Sequence, residues 1–517
     1  MPVNNSVNNI RIAKNTLALY ARMLLMMVIS LFTSRVIFDS LGEVNYGIYT
    51  VVGGFVAMFS ILSGPLSGAI QRFLAFEIGK EDVESLKKVF STSVSIQIIM
   101  AVTIIIVAEI VGLWFLNTKI NIPAERMEAA HFVLQCSIAT FALSLLSLPY
   151  NATIIAHEKM SIFAYISILE AVLKLGIAYL IYISPIDQLK VYSALLLGVA
   201  FIIQFIYYIY CKNKFEEARY NFKLDKALFK EMAGFAGWNF FGSAAYMFNT
   251  QGVNMLINVF FGVKVNAARA IAVQVDTAMS QFVNSFTTAI NPQITKSYAS
   301  GNTDYLYKLI TYGSKFSFFI MLIMVVPVVL EADTILGLWL KKVPDDTVIF
   351  LRLVILSTLA STMGNSMMTG VLATGNIKRY QIKMNVGGCL TFPLTWLAYL
   401  MGAPAFSTYI ILLVMNFSLH FVRLDELKRL IDFPAREFIR KHITRMLGVL
   451  ISSFVLPAII CHFWEPSFVR LIIICFTSVL WSFGCIYFIG LLNDERKYVI
   501  NSIRSVIDKY TKNNKVQ

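Results

Sequence analysis

The chain has 517 residues, of which 57% are hydrophobic and 14% charged, and its formal net charge is +14 at pH 7. A soluble domain carries about 25% charged residues, so this chain cannot clothe a water-facing surface of its size. Length alone would allow about three soluble domains, but the apolar residues come in blocks long enough to cross a bilayer, which takes about 20 residues per helix.

The surplus of Lys and Arg fits the cytoplasmic loops of a membrane protein, and nucleic acid is not an expected partner. Six Cys form no C-x-x-C pair. Cys136, Cys389, Cys475 and Cys485 lie in apolar runs and read as small core residues, not as a disulfide framework or a metal site. The polar stretch Met1 to Asn15 lacks a signal-peptide cleavage pattern, so the first hydrophobic segment is expected to stay as a span.

In chain order, about 14 transmembrane helices are expected. Six fall at 17–38, 46–75, 88–116, 127–155, 161–183 and 191–210, within a first six-helix group 1–210. The polar segment 211–230 reads as a cytoplasmic linker. A second six-helix group, 231–422, holds spans at 231–260, 267–295, 308–338, 347–374, 382–402 and 405–422. An amphipathic linker at 423–444 precedes two further helices within 445–492, at 445–464 and 468–492, and a tail at 493–517. Pro65, Pro149, Pro292, Pro327, Pro393 and Pro457 fall inside or near the ends of spans, where neighbouring helices can satisfy the freed backbone groups.

Loop charge orients the chain. With the N-terminus inside, the inner loops and tails hold about 30 Lys and Arg and the outer loops about 8. The inner clusters are Lys212–Lys230, Lys378–Lys383, Arg423–Arg445 and Arg496–Lys515; the outer loops carry scattered charges such as Lys119, Arg126, Lys190 and Lys341. Trp114, Trp339 and Trp464 fall at outer ends, as an aromatic belt would place them. Both termini are therefore expected in the cytoplasm. Leu424, Leu427, Leu430 and Ile431 share one helical face, as do Val499, Ile503, Val506 and Tyr510. Both segments suit helices on the membrane surface or cytoplasmic helices packed on loops.

The two halves share a weak echo. The first pair of spans is expected to turn at Leu41-Gly42-Glu43-Val44-Asn45-Tyr46-Gly47, and the seventh and eighth at Phe261-Gly262-Val263-Lys264-Val265-Asn266-Ala267. Parallel six-helix repeats are one way to build a transporter.

Polar residues inside spans are the best pointers to function, because each costs several kcal/mol against lipid. In the eighth span Arg269, Asp276, Ser280, Asn284, Thr287 and Asn291 recur at helical spacing on one face. The seventh adds Asn249, Gln251, Asn254 and Asn258. Such a stripe needs water or protein partners, so it lines a cavity or ties helices together. The first span carries Arg22, Arg35 and Asp39, the last two four residues apart and able to pair. Glu170 and Lys174 can pair likewise. Arg72, Glu109, Lys315 and Arg352 are further charges within spans. Cations outnumber carboxylates among the isolated charges, which favours an anionic substrate. Asp39, Glu109 and Asp276 are the candidates for coupling to an ion gradient. No P-loop, H-E-x-x-H or G-x-S-x-G motif is present, and His131, His157 and His442 are scattered. The reading is not an enzyme, with no catalytic residue, cofactor or metal, and any transport is passive or driven by an ion gradient.

The words Arg11-Ile12-Ala13-Lys14-Asn15-Thr16, Ser34-Arg35-Val36-Ile37, Leu41-Gly42, Tyr46-Gly47-Ile48-Tyr49 and Gln71-Arg72-Phe73-Leu74 resemble the start of bacterial polysaccharide repeat-unit flippases of the Wzx type. These belong to the multidrug/oligosaccharidyl-lipid/polysaccharide exporter superfamily. The resemblance implies two six-helix lobes around a central cavity, plus two C-terminal helices. It implies movement of an undecaprenyl-diphosphate-linked oligosaccharide across the bacterial inner membrane by alternating access. Its implied partners are that lipid-linked substrate, the bilayer and other polysaccharide-assembly proteins. In similar proteins cationic cavity residues meet diphosphate or acidic sugar, parts that fall here to Arg22, Arg35, Arg72 and Arg269, with Asp276, Asn284 and Asn291 beside them in the cavity. A cation-coupled multidrug antiporter of the same fold is the alternative, and a membrane-embedded glycan polymerase or acyltransferase a more distant one.

The topology is testable by cysteine labelling from outside. Reagent is expected to reach cysteines placed in the Asn117–Glu125 loop and not those placed in Lys378–Lys383. The opposite pattern would invert the orientation.

Overall fold

The computed structural model describes residues 5–118, 122–182, 187–221, 225–340, 343–493 and 495–496. Every regular element among them is helical. The helices are α1 (Asn5–Ala57), α2 (Ser63–Lys80), α3 (Val83–Thr118), α4 (Met127–Ala156), α5 (Met160–Tyr182), α6 (Gln188–Lys214) and α7 (Lys226–Ala299). They continue as α8 (Thr303–Leu330), α9 (Ala332–Trp339), α10 (Thr347–Thr362), α11 (Gly364–Ala373), α12 (Lys378–Cys389), α13 (Thr391–Leu400) and α14 (Ser407–Ile431). The last are α15 (Ala435–Phe438), α16 (Thr444–Phe463) and α17 (Phe468–Cys485).

Short polar side chains begin several of them. Asp187, Asp225 and Ser467 accept backbone N–H bonds at the starts of α6, α7 and α17, meeting donors that helix geometry leaves unpaired. Asp82 does the same before α3, accepting from the Ser85 backbone N–H at 3.0 Å and from its hydroxyl at 2.8 Å. Those two bonds hold its carboxyl below the ordinary value.

The protein is an all-α polytopic membrane protein. Ten helical stretches among the described residues are long and apolar enough to cross a membrane. On α3 the apolar side chains divide: Val94, Ala101, Ile104 and Ala108 are buried, while Ile98, Val102, Ile106 and Ile110 are exposed. A helix apolar all round has no water-facing side to offer, and the exposed row is what lipid would cover. Trp114, Trp339 and Trp464 stand exposed at or beside helix ends, in keeping with an aromatic belt.

Four of the expected spans are not among these ten: three for a visible reason, and that at 17–38 because several of its side chains lie outside the described residues. The spans at 231–260 and 267–295 lie within α7, which is rich in amides and reverses at Gly262 (φ 81°, ψ −178°). Only glycine takes that backbone without strain, and the turn expected at Phe261–Ala267 is found there. The span at 382–402 is split between α12 and α13, with Pro393 in the first turn of α13, where its missing N–H costs nothing. The span at 17–38 lies within α1, whose backbone is helical from Asn5 to Ala57 and through 41–47, where a turn is expected. Gly42 and Gly47 tolerate a helical backbone as well as a turn.

The chain forms two compact units. The first comprises Met1–Phe248, Ser285–Leu309 and Thr369–Val386; the second comprises Asn249–Asn284, Ile310–Met368 and Gly387–Gln517. In the first, α4 packs on α6 and α1 on α5, around a core that includes Phe73, Leu74, Phe90, Ile154 and Ile181. In the second, Phe319, Leu322, Val325, Phe350 and Ile355 are fully or nearly fully buried.

Two polar segments are packed more closely than their composition conveys. The described part of the linker, 211–221 and 225–230, belongs to the first unit. Glu217 is buried and paired with His157 at 2.5 Å, and the Phe215 ring stacks on the same imidazole. Leu424, Leu427 and Ile431 are buried on an unbroken extension of α14, so this amphipathic face packs on protein and is not a separate surface helix. The face Val499, Ile503, Val506 and Tyr510 lies outside the described residues. Cys136 and Cys485 are buried and Cys475 half-buried, but Cys389, at the end of α12, is exposed and is not core.

Buried ion pairs close the second unit. Lys315 on α8 is fully buried and meets Glu495 at 2.5 Å. Glu331, after α8, meets Arg470 on α17 at 2.7 Å, and the Arg470 guanidinium also donates to the Trp464 carbonyl at 2.7 Å. Removing one member of a buried pair strands the other charge, at a cost of about 3–5 kcal/mol. Lys315→Met and Glu495→Gln are each expected to lower the thermal unfolding midpoint in detergent, and the double variant to recover most of the loss. Additive losses would show that the two side chains are not energetically coupled.

Candidate functional site

Charges within the spans divide by what meets them. Glu170 holds Lys174 at 2.6 Å, Arg352 holds Asp333 at 2.9 Å, and Lys315 holds Glu495. Glu109, half-buried on α3, accepts from the Gln135 amide at 2.9 Å. Arg22, Arg72 and Arg269 are different. Among the described residues, no carboxylate lies within ion-pair distance of any of them; rings, a hydroxyl, a carbonyl and an amide hold them instead.

Arg22 is half-buried on α1, its guanidinium 4.4 Å from the centre of the Phe163 ring. Its Nε is buried with no hydrogen-bond partner. Tyr207 and Glu170 act on it through space, although that carboxylate already serves Lys174. A cation over a ring face gains about 0.5–2 kcal/mol, far less than full hydration gave it.

Arg72 lies at the middle of α2 and is 9% exposed. The rings of Phe73, Phe76 and Phe235 stand 4.5, 4.9 and 5.5 Å from its guanidinium. One Nη donates to the Ala373 carbonyl at the end of α11 at 3.1 Å, and its Nε has no partner. Beside it is a pocket of about 250 Å³, lined also by Lys230, Glu231, Phe235, Trp238, Gly375 and Lys378. Gly375 has φ 77°, and a Cβ there would sit 2.6 Å from an Arg72 Nη. The left-handed turn and the absent side chain are both needed for the loop to approach the guanidinium.

The eighth-span stripe is taken up largely by protein partners. Arg269 donates to the Asn254 side-chain oxygen at 3.0 Å and hydrogen-bonds Tyr409. Asp276 bonds Thr358, and Tyr409 lies in the field of both Arg269 and Asp276. Asn291 accepts from the Thr369 hydroxyl at 2.9 Å. Asn284 is exposed. Arg269, Asp276 and Asn291 each meet a protein partner through a hydrogen bond. Arg269, Asp276 and Asn284 belong to the second unit, and Arg22, Arg72 and Asn291 to the first. The side chains of Arg35, Asp39, Gln251 and Asn258 lie outside the described residues.

A cluster absent from the sequence-based candidates ties the first unit together. Glu158, in the turn between α4 and α5, has a fully buried side chain. It accepts from Lys296 Nζ at 2.5 Å and from the Gln293 amide at 2.6 Å, while its carbonyl accepts from Asn15 at 3.1 Å. A Cβ at Gly79 of α2 would lie 2.7 Å from the Lys296 carbonyl. The end of α7 therefore meets the buried Glu158 carboxylate, Asn15 of α1 meets its backbone carbonyl, and the end of α2 packs on Lys296. Lys230 and Lys378 were visible in the sequence as loop charge only; the one local signal for their site is the Gly375-Asn376 turn before Lys378. Among the described residues no three His, Cys, Asp or Glu gather as a metal site requires.

No family model and no curated protein matches this chain by sequence. Solved structures do match it in fold. A MATE protein in complex with MaD3S superposes with a TM-score of 0.70 at 14% identity, over 82% of this chain and 96% of that one. An outward-facing multidrug resistance MATE family transporter of the MOP superfamily gives 0.68 at 15% identity, over 81% and 96%. A MOP superfamily transporter from Pyrococcus furiosus Vc1 (DSM3638), described by a reversed polarity of its binding pocket, gives 0.61 at 15% identity, over 81% and 96%. The chain thus has the fold of MATE transporters of the MOP superfamily.

Gly375 tests the seating of Arg72. Gly375→Ala should cost about 1–2 kcal/mol for the left-handed backbone and a further amount for displacing the guanidinium. Thermal unfolding should show a smaller penalty in an Arg72→Gln background. An equal penalty in both backgrounds would mean that the loop and the arginine are independent.

Proposed function

We propose that the protein carries an undecaprenyl-diphosphate-linked oligosaccharide from the inner to the outer leaflet of a bacterial cytoplasmic membrane by alternating access, with both termini in the cytoplasm. The observation that carries this reading is the set Arg22, Arg72 and Arg269, three span cations with no carboxylate at ion-pair distance among the described residues. Weak partners leave their positive charge available, and the low dielectric of a bundle makes that charge felt by a diphosphate or acidic sugar. The MATE-type fold supports membrane transport as the setting. The resemblance of Ser34-Arg35-Val36-Ile37 and Gln71-Arg72-Phe73-Leu74 to Wzx-type flippases supports the lipid-linked cargo.

A cation-coupled drug antiporter shares the fold and is the competing reading. Its cargo is cationic, and three guanidinium groups with no carboxylate at ion-pair distance among the described residues would repel it. Asp39, Glu109 and Asp276 are the carboxylates that such coupling would use.

Surface-polysaccharide complementation separates the two. Arg72→Gln and Arg269→Gln, expressed at normal levels in the membrane, should lower export tenfold or more, since about 1.4 kcal/mol corresponds to each factor of ten. Arg22→Gln, half-buried, should lose less. Unchanged export in all three, or drug efflux that rises when the arginines are neutralised, would overturn the flippase reading.

A further inference from the structure

The pocket beside Arg72 has the composition of a site for an anion larger than chloride. Three cations border it: Arg72 from α2, Lys230 near the start of α7 and Lys378 at the first position of α12. One carboxylate, Glu231, stands against them at the exposed edge. Arg72 is 9% exposed with Nε unpartnered, and Lys378 Nζ lies 5.5 Å from the Trp238 ring centre. The wall also includes the residues leading into α12, whose first turn presents unpaired N–H groups and a partial positive charge. A water occupies about 30 Å³, so a volume of about 250 Å³ holds about eight water-sized groups, the scale of a diphosphate.

We propose that this pocket binds a phosphate-bearing anion of diphosphate size, with Lys230 and Lys378 capturing it and the Arg72 guanidinium receiving it. Arriving phosphate oxygens compete with the Ala373 carbonyl for the Arg72 donors, because charge-assisted bonds to an anion are about twice as strong as neutral ones. The phosphate chemistry rests on the pocket's own groups. Its delivery on a polyprenyl lipid rests on the proposed function.

The test uses the purified full chain in lipid nanodiscs, with inorganic pyrophosphate as one probe and nanodiscs doped with undecaprenyl phosphate as the other. Pyrophosphate should change tryptophan fluorescence saturably, through Trp238, and raise the unfolding midpoint. The fluorescence change should vanish in Trp238→Phe. Lys230→Gln/Lys378→Gln, at two exposed positions that leave folding intact, should weaken binding at least tenfold and flatten its salt dependence. Binding of equal strength in the double variant, or no saturable change in either fluorescence or midpoint from either probe, would overturn the site. Pyrophosphate bound with undecaprenyl phosphate ignored would support the site with a soluble ligand and count against the lipid cargo. Unchanged export in the arginine variants together with intact pyrophosphate binding would remove the flippase reading and keep the site.

Discussion

A charge inside a hydrocarbon-facing bundle must find a partner, and most features of this chain follow from which partner it finds. Where the partner is an opposite charge, as for Lys315 with Glu495 or Arg470 with Glu331, the pair is silent outside its own surroundings and acts as a clamp. Where the partner is a ring face, an amide or a carbonyl, the charge persists beyond its contacts. Arg22, Arg72 and Arg269 are of this second kind. The distinction separates residues that hold helices from residues that can hold a ligand, and it does so with no reference to sequence position.

Much of the architecture was legible because hydrocarbon imposes a simple rule: about 20 apolar residues per crossing and no unpaired backbone. The reversal at Gly262 was legible too, since a single residue had to turn the chain between two long helical runs. What the sequence concealed is pairing across distance. Lys315 and Glu495 are 180 residues apart, Glu331 and Arg470 139, and Glu158 and Lys296 138. No periodicity links such positions, so Lys315 reads in sequence as an isolated cation and Glu158 as an ordinary turn residue.

The candidate pocket shows the same limit from another side. Arg72 stood out as a charge at the end of a span, but Lys230 and Lys378 were explained completely by loop charge and orientation. Only folding brings the start of α7 and the start of α12 to the middle of α2, with Gly375 allowing the last approach. The eighth-span stripe illustrates the converse. Its spacing placed Arg269, Asp276 and Asn291 on one helical face, where they form hydrogen bonds with Asn254, Thr358 and Thr369. A stripe of polar side chains defines a face and leaves open what that face meets.

The tie between Lys315 and Glu495 also bears on how the protein is made. Synthesis proceeds at about 5–20 residues per second, so the 180 residues between the two take roughly 9 to 36 seconds to follow. Throughout that interval α8 has been made and its ammonium has no native counter-charge. The helix must wait with Lys315 in water, at an aqueous gap or beside a provisional neighbour, until the last crossing and the residues after it emerge. Final seating of α8 is therefore a late event, governed by the release of the chain end rather than by the apolar character of the helix itself.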